Sequence, residues 1–206
     1  MDDRAGIPPS SRISRIIHIA VLALSLLAFL VGLLLIGPRI LAYFSFWALG
    51  GTMLGMALLV ARDRGWRIRE IGVPIAVSAV INTVLLMVEA RTGFDGATAA
   101  LPVFAGLWVG IIAPLAQLIT AFPNRAFRQP RAVLAWLALA VVAYILLLEV
   151  VFRPLGFMPY AALPLDDDIA RLRVYGLMLA LSFLAHAGLF ALAHLLERNG
   201  LMPRRG

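Results

Sequence analysis

The chain has 206 residues, 62% of them hydrophobic and 14% charged, with a mean hydropathy of +0.95 and a formal net charge of +7. Soluble domains carry about 45–50% apolar and about 25% charged residues, so the polar side chains here cannot coat a water-exposed globule. A cytosolic enzyme, a secreted module and a disordered tail are excluded, and lipid is the expected solvent.

A bilayer core about 30 Å thick takes about 20 apolar residues in a helix rising 1.5 Å per residue. Six stretches qualify, at 16–36, 40–60, 71–88, 99–122, 132–152 and 174–196. They are continuous apolar runs without apolar/polar alternation, which selects helices over barrel strands. The predicted fold is therefore all-α, a single polytopic domain of six transmembrane helices. Gly37-Pro38-Arg39 leaves room only for a tight hairpin between the first two. The first run is longer than a signal-peptide core and has no small-residue cleavage site before Gly37, so it is expected to stay as a helix. Segment 153–173, rich in proline and acidic residues, is expected to form an ordered cap or a short interfacial helix. Gly51–Gly55 and Gly106–Gly110 match a close-packing spacing of membrane helices. Pro74, Pro102 and Pro114 are expected to bend or open theirs.

All 18 basic residues are arginines, and 13 of them fall at the N-terminus, in the second and fourth connections and at the C-terminus. Short arginine-rich loops stay cytoplasmic, so both ends are expected inside a cell inner membrane. The charge is topological; without an aromatic-interleaved basic patch, no nucleic-acid partner is expected. Neither cysteine nor lysine occurs. Disulfides, thiolate metal sites, iron–sulfur clusters and Schiff-base chemistry are thereby excluded, and no cofactor or metal is assigned.

Polar groups within hydrocarbon are costly and need a reason to be there. Glu149, one turn from the end of the fifth span, either lines a cavity as a proton acceptor or ion ligand, or pairs with Arg153 four residues on. Glu89, beside Arg91, reads as interfacial. His186 is expected near mid-membrane with Asn82, Thr83, Thr52 and Ser182, either as interhelical glue or as a substrate-contacting cluster. His18 and His194 are expected at one depth, by chance or as a bis-imidazole pair.

Several collinear pieces resemble the androgen-induced-protein family and its bacterial relatives. They are Tyr43-Phe44-Ser45-Phe46, a proline-bearing fourth helix (Pro114) before a basic loop, and Tyr144-Ile145-Leu146. Gly156-Phe157-Met158-Pro159-Tyr160 leading to Leu165-Asp166, and a last helix running from Tyr175-Gly176 to Glu197-Arg198, complete the series. The family's animal members are multi-span hydrolases of fatty-acid esters of hydroxy fatty acids. The resemblance implies that Ser45 stands where the family has its threonine nucleophile. The family's helix-4 histidine has no counterpart in Gly106-Leu107-Trp108-Val109-Gly110. A hydroxyl needs a base, which leaves Glu149 or His186 for that role.

Three functions are compatible with these residues. One is a lipid-ester hydrolase using Ser45, Glu149 and His186. Another is a small transporter or substrate-binding membrane component with a polar pocket around Thr52, Asn82 and His186. The third is a non-enzymatic accessory subunit of a membrane complex. Membrane lipids, a lipid-like or small-molecule substrate, a second copy and a complex partner are the candidate partners.

Overall fold

The computed structural model describes residues 12–66, 71–92, 96–124, 126–160 and 163–201. Among them there are helices and no strands. Six helices are long and apolar enough to cross a membrane: α1 (Arg12–Ile36), α2 (Phe44–Asp63), α3 (Gly72–Thr92), α4 (Val103–Ala121), α5 (Pro130–Phe152) and α6 (Asp168–Arg198).

The boundaries depart from expectation in three places. The first connection is longer than a tight hairpin: Gly37 turns with φ +73°, and a 3-10 segment, Gly37–Ala42, carries Ile40 and Ala42 into the core. Consequently α2 starts at Phe44. A separate turn, Gly96–Ala100, precedes α4. Asp167 caps α6 through the Ala170 N–H at 2.9 Å, so α6 begins within the expected cap segment and runs 31 residues. A side-chain acceptor there satisfies one of the orphan donors of the first turn.

Only Pro114 among the three marked prolines lies beyond the first turn of a helix. A proline ring clashes with the carbonyl four residues earlier; for Pro114 that is Gly110, and the helix widens to a π turn over Trp108–Ile112. The same accommodation precedes Pro154, where α5 ends in a π turn over Leu147–Phe152. Pro74 and Pro102 sit at helix starts, where no intrahelical N–H is lost.

Helix α3 is the hub: it packs against α2, α4, α5 and α6, and more of it is buried than of any other span. Glycines permit this closeness. A Cβ at Gly51 would come within 2.9 Å of Ser78 Oγ on α3, and one at Gly55 within 2.7 Å of Gln117 Nε2 on α4. At Gly32 it would strike the Phe46 ring, whereas at Gly50 it would meet nothing within 4 Å. Overpacking costs about 1–3 kcal/mol. Gly51→Ala and Gly32→Ala are therefore expected to lower the thermal midpoint in detergent, and Gly50→Ala to leave it unchanged or raise it.

Candidate functional site

Three polar clusters and one groove hold the candidate chemistry. In mid-bundle, Asn82 Nδ2 faces Ser78 O (2.9 Å), Thr52 Oγ1 (3.1 Å), Ser78 Oγ (3.3 Å) and Ala48 O (3.3 Å). Thr52 Oγ1 donates in turn to Ala48 O at 3.1 Å. Asn82 and Thr52 are thus brought together as expected, but both have no exposed surface. Gln117, on α4, donates to Ile75 O at 3.2 Å. The Asn82 Oδ1 and Gln117 Oε1 atoms accept no hydrogen bond among the described residues. These groups tie α2, α3 and α4 together.

His186 does not join them. Its Nε2 meets Pro130 O at 3.1 Å, at the start of α5, and its ring packs on Phe190 at 4.6 Å. The 31-residue α6 is longer than a bilayer span, so counting from its middle misjudges the depth of His186. His194 is exposed.

At the opposite end of the bundle from Arg12, Glu149 Oε1 accepts from Arg171 Nε (2.9 Å) and Tyr175 Oη (2.7 Å), and its Oε2 accepts from Arg153 Nη1 (3.0 Å). Arg171, 2% exposed, also donates to Pro164 O and Leu165 O, both at 2.7 Å, and to Asp168. Arg153 Nη2 reaches Asp168 Oδ1 at 2.9 Å. Two carboxylates and two guanidiniums balance, and the loop before α6 is fastened to α5. The same end carries an aromatic layer built from segments far apart in sequence. Tyr43 meets Phe157 and Tyr160, Tyr144 meets Phe44 and Trp47, and Tyr144 Oη donates to Ala42 O at 2.7 Å. Ser45 lies in the first turn of α2 beneath this layer, without exposed surface. The hydrogen bonds of Glu149 and His186 run to the groups named above and not to Ser45.

At the N-terminal end, His18 Nδ1 lies 2.8 Å from Asp63 Oδ2, with both side chains buried (2% and 4% exposed). Arg62 bridges Asp63 Oδ1 (3.3 Å) and Asn124 Oδ1 (2.6 Å), joining the ends of α2 and α4. His18 therefore has a carboxylate partner rather than His194. The signal was present: an antiparallel hairpin turning near residue 40 sets position 18 beside position 62. Among the described residues no group of three or more His, Asp or Glu could hold a metal ion.

The groove runs between α2 and α5 and is floored by α3, with a volume of about 810 Å³. Gly50, Gly51 and Leu54 form one wall, Leu139, Ala140 and Ala143 the other, and Val73, Val77, Ser78 and Ile81 the floor. Trp47 and Trp136 also line it. It exists because the residues facing each other across α3 are small.

No family model, curated protein or solved structure matches the chain. The class is set by the fold: a six-helix bundle with the build of a multi-pass membrane protein. Removing one partner of a charge pair leaves the other charge behind without compensation. Arg171→Leu is accordingly expected to lower the unfolding midpoint, since it takes from Glu149 and Asp168 a shared partner, and Arg171→Lys to lower it less but measurably, since lysine cannot reproduce the fork geometry. Thermal unfolding in detergent is the check.

Proposed function

We propose that this chain is a multi-pass protein of a cell inner membrane, with both ends cytoplasmic, and that it binds the acyl chain of a membrane lipid in the groove between α2 and α5. The observation that carries the binding reading is the groove itself, which is apolar throughout except for Ser78. Its floor from Val73 to Ile81 extends about 12 Å at 1.5 Å per residue, close to the depth of one leaflet. Pockets for apolar ligands are concave and mostly apolar, with few polar groups. A groove facing hydrocarbon takes as its occupant whatever surrounds it.

The topology rests on arginine. Arg12, Arg15, Arg62, Arg64, Arg128, Arg131 and Arg198 fall at one end of an alternating six-span bundle. The other end has the smaller share, Arg39, Arg91, Arg153, Arg171 and Arg173, and the richer side is the cytoplasmic one. Binding is favoured over transport of a polar solute, because the amide cluster at Asn82 and Thr52 is closed to solvent. It is favoured over hydrolysis at Ser45 for the same reason, since a substrate must reach its nucleophile.

Two measurements test the reading. Native mass spectrometry of the delipidated protein titrated with phosphatidylglycerol is expected to show one retained lipid. Gly50→Phe, which projects into open space, and Ala143→Phe are expected to lower retention at least tenfold without loss of thermal stability. Equal retention in the filled variants would remove the groove from consideration. The absence of cysteine makes single-cysteine topology mapping clean. Arg39→Cys is expected to react with an impermeant maleimide on intact cells, and Arg128→Cys only after permeabilisation; the reverse pattern would invert the assignment.

A further inference from the structure

The N-terminal end of the bundle holds a second arrangement, separate from the groove. Ser14 Oγ lies 3.4 Å from His18 Nε2, and His18 Nδ1 lies 2.8 Å from Asp63 Oδ2. The roles of the two ring nitrogens follow from the partners. A carboxylate can only accept, so Nδ1 carries the proton and donates it to Asp63, leaving the Nε2 lone pair toward the Ser14 hydroxyl. Ser14 and His18 are four residues apart on α1, which stacks them on one helix face. Asp63 arrives from the last turn of α2. Arg62 Nη2 holds the other oxygen of Asp63 at 3.3 Å and fixes the carboxylate. Nucleophile, base and orienting acid thus stand in the order that acyl transfer requires, and such an array is recognised by geometry and roles rather than by sequence position. A serine–histidine separation of 3.4 Å is long for a hydrogen bond, as catalytic contacts often are before substrate is bound.

Burial divides the three as their roles demand. His18 is 2% exposed and the Asp63 side chain 4%, while Ser14 is only half-buried. Around it α1 exposes Ile13, Ile16 and Ile17 together with Arg12 and Arg15. An apolar surface edged with arginines suits an acyl chain that ends in an ester beside an anionic headgroup. The first turn of a membrane-crossing helix also lies where water is available. Asp63 is nine residues beyond Leu54 on α2, half a revolution round and about 13 Å further along, so this array and the groove do not share a wall.

We propose that Ser14, His18 and Asp63 form a hydrolytic site for acyl esters of anionic lipids, with Ser14 and His18 catalytic and Asp63 positioning. The Ser14 oxygen bonds to the ester carbonyl carbon as its proton passes to His18 Nε2. The carbon–oxygen bond to the alcohol then breaks, and the departing oxygen takes the proton from Nε2. Water attacks the acyl-serine, yields a proton to Nε2 and releases the carboxylic acid; that proton returns to Ser14. One ester and one water become one acid and one alcohol.

The test uses the full chain in nanodiscs and a fluorophosphonate probe, which forms a stable adduct with an activated serine. Peptide mapping by mass spectrometry is expected to place the adduct on Ser14. Ser14→Ala is expected to abolish labelling together with hydrolysis of a p-nitrophenyl acyl ester. His18→Gln is expected to slow labelling at least about 100-fold, the lower range for removal of a general base. Asp63→Asn is expected to lose labelling and Asp63→Glu to regain part of it, with unfolding midpoints recorded in parallel. If Asp63→Asn fails to fold, the Ser14 and His18 variants decide the matter. No adduct on Ser14, an adduct on Ser45 instead, or hydrolysis unchanged in Ser14→Ala overturns the proposal. Lipid retention in the Gly50→Phe variant is read independently, so the groove and the triad can fail separately.

Discussion

In helices long and apolar enough to cross a membrane, polar groups are best satisfied by partners inside the protein. That constraint organises the bundle. Charged groups gather at its two ends and pair there: Glu149 and Asp168 with Arg153 and Arg171 at one, Asp63 with Arg62 and the imidazole of His18 at the other. Between them the buried polar side chains are uncharged, and they spend their donors on backbone carbonyls or on one another, as Asn82, Thr52 and Gln117 do. A charge midway would have to be desolvated on every side, whereas at the ends loops and helix termini supply the remaining hydrogen bonds.

The same constraint explains the irregular helices. A proline inside a span frees a carbonyl that lipid cannot satisfy, and a π turn redistributes the bonds around it. This happens before Pro114 in α4 and before Pro154 in α5. In α5 the widened turn is also the one that carries Glu149. The indole of Trp108, in the widened turn of α4, donates to Ser25 Oγ on α1 at 3.1 Å. That region of the fourth helix also holds a stacked Phe104–Trp108 pair.

Small residues serve two opposite ends in this fold. Gly51 and Gly55 let α2 close upon α3 and α4, which draws the bundle tight around its central helix. One position earlier, Gly50 faces nothing, and across α3 the equally small Ala140 and Ala143 leave the space open. Packing and cavity are thus built from adjacent residues of one helix, separated only by the rotation of about 100° per residue. The aromatic layer at the far end gathers Tyr43, Phe44, Tyr144, Phe157 and Tyr160 from three segments.

What the amino-acid sequence determined by itself was the number of helices long and apolar enough to cross a membrane. Apolar run length and continuity specify six of them, because both depend on local chemistry summed along the chain. The i,i+4 pairing of Glu149 with Arg153 and the closeness of α2 to its neighbours at Gly51 and Gly55 were legible for the same reason, whereas Gly106 closes on Thr98 of the turn before its own helix. Partners between helices were not. His186 meets Pro130 O instead of Asn82, and His18 meets Asp63 instead of His194. Depth along a helix depends on where its ends fall, and facing depends on rotation about its axis, and packing sets both. The groove between α2 and α5 and the alignment of Ser14, His18 and Asp63 arise in the same way: each needs two or more helices at a fixed angle and height, which tertiary contact alone decides.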